Sequence, residues 1–207
     1  MSLYRKNYIS EGGERFGLLV DHNGIPDFWT TLYMTTNVRQ EKHSTQKAFL
    51  NHLIHIHIWE MAMGERIFER ILNYSVKSID LSATQFYTDV EVQNLADHCK
   101  LETKTTRRKL LDRYSKQRDD INLKILFPTH KIQDPVVEKA QFNNRITVCA
   151  EYFEFVAKNI LREKSSFSNF LETIKNTKKA ILSKKNKGGR SKNHTNDPNK
   201  KSPPPEV

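Results

Sequence analysis

The chain has 207 residues, of which 37% are hydrophobic and 10% aromatic, so it can bury one large core or two small ones. Its 34 Lys and Arg residues against 24 Asp and Glu give a net charge of +10, which favours nucleic acid or an anionic membrane surface over a neutral ligand. No stretch reaches the roughly 18 to 20 apolar residues of a membrane span, and the N-terminus lacks the apolar segment of a signal peptide, so we expect a cytoplasmic protein with no membrane partner.

The first forty residues predict a short β-ribbon within an N-terminal arm. The apolar run at residues 16–20 (FGLLV) is followed by Asn23 and Gly24, a pair that tolerates the positive φ of a tight hairpin turn. From Trp29 onward, apolar residues recur at a spacing of three and four, which fits a short helix or a packed arm. We expect residues 1–40 to form this arm.

The middle of the chain predicts several helices. Helical periodicity begins at Ser44, a good N-cap, and continues without Gly or Pro to a predicted end at Gly64. A shorter helical pattern follows and ends near Asn73. Thr88 and Glu91 form a capping box, in which each side chain bonds an unpaired amide at the helix start, so a third helix begins there.

The C-terminal third predicts two more helices and a linker. Residues 138–161 carry apolar side chains on one helical face, and Ser168 is expected to cap a last, increasingly basic helix. Residues 186–207 are rich in Gly, Asn, Lys and Pro and cannot bury a core, so they predict a disordered basic linker. The predicted fold class is therefore mainly α: a helical bundle over residues 41–185 with a small N-terminal β-ribbon.

The positive charge is concentrated in two parts of the chain. From Lys175 to the C-terminus, ten Lys and Arg residues are opposed by two acidic residues, which leaves a local charge of +8. Between Lys104 and Arg118, seven basic residues are opposed by Asp112. Because each cluster repels itself, the two together indicate contact with a polyanion.

Four stretches, taken in order, carry a resemblance to a known family: residues 19–26, 44–59, 144–157 and 202–205. In this order they resemble the N-terminal region of the tyrosine-recombinase (phage-integrase) family, in which a helical core-binding domain precedes the catalytic domain. The resemblance covers about residues 16 to 207, although residues 101–137 match nothing in that pattern.

The resemblance implies a SAM-like core-binding bundle that clamps a recombination half-site during DNA integration or recombination. It implies double-stranded DNA as the partner, self-association on DNA in the full-length protein, and a bacterial-type cytoplasmic location, associated with the nucleoid when bound.

The family's catalytic residues are missing from this sequence. They are an Arg, a Lys, a His-x-x-Arg pair and a C-terminal Tyr nucleophile, whereas none of the eight His residues here is followed by Arg at the third position. The last tyrosine is Tyr152, in the middle of a predicted helix. We therefore expect the N-terminal half of a recombinase, without strand chemistry of its own.

Two predicted helix starts carry candidate DNA contacts. Free amides and the helix dipole attract phosphate at a helix start, and Asn and Arg can read adenine and guanine edges. The alternative for both groups is an ordinary solvated surface. The phosphate candidates are Lys42, His43, Ser44, Thr45 and Lys47, and the base-reading candidates are Asn143, Asn144 and Arg145.

The two basic clusters supply further candidates, since each Lys or Arg that neutralises a phosphate strengthens DNA binding and its dependence on salt. A charge run of this kind is otherwise simply solvated. The candidates are Lys104, Arg107, Arg108 and Lys109 in one cluster, and Lys175, Lys178, Lys179, Lys184 and Lys185 in the other.

Other kinds of site have weaker support. His52, His55 and Glu60 invite a metal interpretation, but on a helix the intervening His57 points elsewhere and no Cys or Asp completes the set. The two cysteines have no partner at metal spacing and are expected to be reduced core thiols. We therefore expect no metal, cofactor or small-molecule ligand.

The alternative function is a helical protein-interaction or assembly module. Its basic tail would then keep the protein in solution or dock it on an acidic partner.

Overall fold

The computed structural model describes residues 3–77, 85–116, 135–162 and 167–186. Over these ranges the chain is mainly helical with one small antiparallel sheet, which confirms the predicted fold class at this coarse level. None of the helices in the described ranges is long and apolar enough to cross a membrane. The predicted linker lies outside the described residues, apart from Asn186.

The N-terminal sheet is a hairpin of β1 (Tyr4–Ile9) and β2 (Arg15–Val20). Its strands are joined by a turn in which Gly13 has φ 78°, a value that glycine adopts without a steric cost. The pairing partner of β2 therefore lies before it in the chain, whereas the Asn-Gly turn had predicted a partner after it.

The Asn-Gly turn forms as predicted but closes a single bridge between Val20 and Pro26. Gly24 has φ 80°, and the Asp21 carboxylate accepts hydrogen bonds from two amides of the turn, both at 2.9 Å. Proline has no N–H for a strand ladder, and Asp27 caps the next helix, so the strand ends here.

The arm continues as α1 (Phe28–Tyr33) and a π-helical turn (Met34–Val38), and then α2 (His43–Met63) begins. The prediction of Ser44 as the N-cap of α2 is wrong, because Lys42 occupies that position without a side-chain bond. The buried Gln46 amide closes the preceding turn instead, donating to the carbonyls of Arg39 and Glu41.

α2 is the central helix of the bundle. Every residue from 53 to 60 is buried, including His55, His57 and Glu60, so it has no continuous polar face along this stretch. It ends at Gly64, as predicted, with φ 74° in the left-handed conformation that favours glycine at this position.

Glu60 is the centre of a buried polar network that joins α2 to the arm. Its carboxylate lies 3.2 Å from His57 Nδ1 and accepts hydrogen bonds from the Ile67 amide and the Arg66 Nε. Arg66 also bonds Asp27 at 2.7 Å. Burial opposes ionisation of Asp27, but its bonds with Arg66 and Thr30 outweigh this and lower its pKa.

The next helices are α3 (Ile67–Lys77), α4 (Asp89–Lys100) and α5 (Thr103–Lys116). The predicted capping box at Thr88 and Glu91 is confirmed. The short helix after Gly64 continues to Lys77, beyond its predicted end near Asn73.

The last two helices are α6 (Lys139–Leu161) and α7 (Phe167–Ser183). The prediction of α6 is confirmed to within one residue, while Ser168 lies inside α7 and is not its cap. The Sγ atoms of Cys99 and Cys149 lie 3.9 Å apart in the core as free thiols, so the two cysteines face each other across α4 and α6.

Paired contacts fix the relative directions of the helices. α2 runs antiparallel to α4, because His55 meets His98 while Trp59 donates to Asn94. α7 runs parallel to α4, because Thr177 accepts from the Phe86 amide while Lys184 donates to Gln93. α7 runs antiparallel to α6, because Lys178 bonds Glu154 while Asn186 bonds Asn143. The starts of α2 and α6 and the ends of α4 and α7 therefore point in the same direction.

Candidate nucleic-acid interface

The turn between α4 and α5 is held from inside the bundle by Arg145 of α6. The Arg145 guanidinium donates to the carbonyls of Cys99 at 3.0 Å and Leu101 at 2.5 Å, and to the Thr103 hydroxyl at 3.3 Å. These acceptors are the last carbonyls of α4 and the first residue of α5, groups that a helix leaves without internal partners. Arg145 thus sets where α5 starts.

The prediction that Arg145 contacts DNA bases is therefore wrong. The residue is 4% exposed and lies in the second turn of α6, which begins four residues before Asn143. A signal for its burial was present in the sequence, since Phe142, Arg145 and Cys149 are spaced by three and four residues and share the apolar face of α6.

The same turn is braced on its other side by the segment that precedes α6. The Val137 amide donates to the Lys100 carbonyl at 2.8 Å, and the Glu102 amide donates to the Pro135 carbonyl at 3.2 Å. These bonds place the end of α4, the start of α5 and the start of α6 side by side. Nothing in the helical periodicity of the sequence signals this pairing.

A pair of buried histidines lies beneath the turn. His55 and His98 each donate through Nε2 to the other's backbone carbonyl at 2.9 Å, and His55 Nε2 lies 3.4 Å from the Arg145 guanidinium. Burial, together with the Arg145 charge, lowers the pKa of His98 to about 3, and burial lowers that of His55 well below its ordinary value. Both rings are therefore neutral at pH 7.

The start of α6 is joined to the end of α7 by Asn143. Its side-chain amide donates to the Asn186 carbonyl at 3.2 Å, and its side-chain oxygen accepts from the Asn186 amide at 2.9 Å. This bond uses the polar atoms that the sequence had assigned to base reading. Asn144, the next residue, is exposed.

These contacts bring basic residues from four helices to one end of the bundle, which we call the basic end. Its lysines come from the end of α4, the start of α5, the start of α6 and the end of α7. They are Lys100, Lys104, Lys139, Lys184 and Lys185. Three acidic residues are interspersed: Asp97, which pairs with Lys100, and the exposed Glu102 and Glu138.

α5 carries the strongest positive face near the basic end. Lys104, Arg107 and Arg108 are exposed, and none forms an ion pair with another described residue. Lys109 is half-buried and lies on a different side of the helix. The predicted cluster of four is therefore divided by the fold, with three side chains facing outward together.

The predicted lysines of α7 separate into two groups. Lys184 and Lys185 follow the end of α7, which Asn186 joins to the start of α6. The Lys184 side chain donates to Gln93 at 3.0 Å, about two turns before Lys100 along α4. Lys178 lies two turns earlier in α7 and is bonded to Glu154, while Lys175 and Lys179 are exposed on the same part of the helix. The further basic residues of the tail lie outside the described residues.

The start of α2 points toward the basic end but belongs to the arm side of the bundle. Lys42, His43, Ser44 and Lys47 are exposed there, and Thr45 is half-buried. α2 packs against the hairpin near its start, since Leu50 lies beside Gly17 and Asn51 accepts from Arg5. This start is accessible to an anion, as predicted for a phosphate contact.

No family model, curated protein or solved structure matches this chain. The functional conclusion therefore depends on the placement of its own side chains. Among the described residues, no group of three or more His, Cys, Asp or Glu could hold a metal ion. The histidines of the predicted cluster are placed apart, with His55 bonded to the His98 carbonyl and His57 beside Glu60.

Proposed function

We propose that this chain is a double-stranded-DNA-binding module that clamps a recombination half-site, like the N-terminal part of the tyrosine recombinases that it resembles. Strand cleavage would belong to a catalytic domain, because the catalytic Arg, Lys, His-x-x-Arg and Tyr set is missing from the sequence. Self-association on DNA is part of the same proposal.

The observation that carries the proposal is the basic end. Lysines that are far apart in the sequence lie toward one end of the bundle there, because bonds of Asn143 and Val137 join the start of α6 to the ends of α7 and α4. Arg107 and Arg108 of α5, which form no ion pair with another described residue, extend this surface. Clustered Lys and Arg on one face are the electrostatic footprint of a nucleic-acid-binding protein, and phosphate contacts supply most of the affinity.

A gel-shift titration of the full chain on a 30-base-pair duplex tests the proposal. We expect binding at 50 mM NaCl that weakens by about a hundredfold or more at 200 mM, since about five phosphate contacts release as many counterions. The absence of a shift at 50 mM would contradict the proposal. On duplexes carrying recombination sites, we expect binding without nicking, and a covalent protein–DNA adduct would overturn the assignment of the chemistry to another domain.

A protein-interaction module is the second candidate, and exposed apolar residues of the arm favour it. Ile25, at the end of the Asn-Gly turn, and Phe28, the first residue of α1, are 61% and 67% exposed and three residues apart in the chain. Exposed apolar side chains that cluster often mark protein contacts. This candidate predicts no DNA shift at low salt and a self-association or partner complex that Phe28→Ser abolishes.

A further inference from the structure

We infer that α5 reads base edges in the major groove of duplex DNA through Lys104, Arg107, Arg108 and Leu111. This inference rests on the proposed DNA-binding function and adds the element that gives it sequence preference. Base reading had been predicted from the start of α6, but Arg145 is buried and Asn143 is bonded to Asn186. Of the three predicted residues only Asn144 remains exposed, so α5 offers the larger candidate surface for base reading.

Over residues 103–111, the part of α5 whose side chains the structure describes, the exposed residues form a single outward stripe. The stripe begins at Lys104 and continues three, four and seven residues later with Arg107, Arg108 and Leu111. This spacing places all four side chains on one face of the helix. The stripe is about 10 Å long, which corresponds to roughly three base pairs at 3.4 Å each. A helix about 10 to 12 Å in diameter fits the major groove, which is about 12 Å wide.

The opposite face of α5 is fixed to the bundle. Thr106 is fully buried, Thr105 is 5% exposed, and Leu110 is 6% exposed and belongs to the hydrophobic core. The start of the helix is held by the Arg145 bonds and by the Glu102 amide bond to Pro135. The stripe is therefore presented on a rigid element, which is what selective recognition of base edges requires.

The chemistry of the stripe fits bases as well as phosphates. Two adjacent arginines offer planar forks that match the paired acceptors of guanine, and an apolar side chain can contact the thymine methyl group. Leu111 is 67% exposed beside these cations. A leucine adds nothing to phosphate binding, so its place on the stripe favours contact with the bases.

The test begins by selecting preferred sequences from a random 30-base-pair duplex library with the full chain. The ratio of affinities for the selected and a scrambled duplex is then measured for Arg107→Ala/Arg108→Ala. We expect this ratio to fall at least tenfold, while binding to scrambled duplex weakens only moderately. Replacing guanine by 7-deazaguanine, which removes a major-groove acceptor, should lower the wild-type ratio as well.

The control is Lys158→Ala/Arg162→Ala, which also removes two positive charges, at the other end of α6, where Lys158 pairs with Glu154 at 2.8 Å. The control variant should keep the wild-type ratio of affinities for the selected and the scrambled duplex. The inference is overturned if the α5 variant keeps the ratio, if both double variants lose it equally, or if 7-deazaguanine has no effect. Each of these results leaves DNA binding itself intact, whereas a chain that binds no duplex at 50 mM NaCl contradicts the proposed function instead.

Circular dichroism of both variants should match wild type, because all four side chains are exposed.

Discussion

Arg145 is a buried cation whose partners are backbone carbonyls and a hydroxyl. Its guanidinium gathers the last turn of α4 and the first residue of α5 around one group. Burial lowers the pKa of Arg145, although an arginine keeps its proton in proteins. The residue therefore acts as a positioning element for α5.

Arg145→Ala should destabilise the fold and disturb the start of α5. The carbonyls of Cys99 and Leu101 lose their charged donor inside the bundle, which costs about 2 to 4 kcal/mol of unfolding free energy. Urea unfolding followed by circular dichroism measures this. The neighbouring Asn144→Ala is the control, since an exposed side chain contributes within about 0.5 kcal/mol. Equal stability of the two variants would contradict the role of Arg145.

The buried histidines predict a loss of stability in mild acid. The pKa of His98 is lowered to about 3 and that of His52 to about 4, mainly by burial and then by the Arg145 charge. Burial also lowers the pKa of His55 well below its ordinary value. In the unfolded chain these rings take up protons below about pH 6.5, whereas the folded chain does not. Unfolding is therefore favoured as pH falls from 6.5 toward 5.

The measurement is the unfolding free energy in urea at pH 7.5 and 5.5. Each depressed histidine should contribute a fall of about 1.4 kcal/mol per pH unit below 6.5. His98→Gln should reduce the slope of the unfolding free energy against pH by the contribution of one proton, about 1.4 kcal/mol per pH unit. The glutamine amide keeps a donor for the His55 carbonyl. His43→Gln, at an exposed position, is the control for overall stability and should keep the unfolding free energy at pH 7.5 within about 0.5 kcal/mol of wild type. A stability that does not change between the two pH values would refute this account.

At the scale of elements, Gly17 is the point where the hairpin meets α2. A Cβ at this position would lie 2.5 Å from the Cδ1 atom of Leu50, a side chain that is 1% exposed. The hairpin therefore packs on α2 at a distance that only glycine allows.

Gly17→Ala should lower the unfolding free energy by about 1 to 3 kcal/mol, because overpacking at a buried contact displaces Leu50 or the strand. Gly12→Ala is the matched control, since its added Cβ meets nothing closer than 3.9 Å. Thermal unfolding compares the two variants. A Gly17→Ala protein as stable as the Gly12→Ala protein would show that the hairpin is not seated on α2 as described.

Local rules predicted the elements better than the contacts between them. The capping box at Thr88 and the glycine end of α2 depend on a few neighbouring residues, so the sequence was sufficient for both. The predicted partner of β2 was wrong because Pro26 stops the downstream strand. The predicted N-cap of α2 was wrong because the Gln46 amide closes the turn before the helix.

The sequence predicted which basic residues belong to the candidate site but not how the fold brings them together. The sequence identifies Lys104 and Lys184 as separate basic positions, but their placement toward the same end of the bundle depends on bonds between helices such as Asn143 to Asn186. The charge of Arg145 predicts a surface position, whereas its place on the apolar face of α6 leads to its burial. Long-range backbone bonds of this kind leave no periodic signal in a sequence.

At the scale of the whole molecule, the bundle separates two kinds of surface. The arm side carries the hairpin and the exposed apolar residues Ile25 and Phe28. The basic end carries lysines from four helices, with the stripe of α5 beside it. We expect DNA to occupy the basic end and to leave the hairpin and α3 free.

Backbone amide chemical shifts, recorded for the full chain with and without a 30-base-pair duplex at 50 mM NaCl, test this claim most directly. The account predicts the largest changes at residues 100–111, 139–144 and 184–186, with small changes in β1, β2 and α3. Changes confined to the hairpin and α3, or no changes at all on saturating addition of duplex, would contradict it.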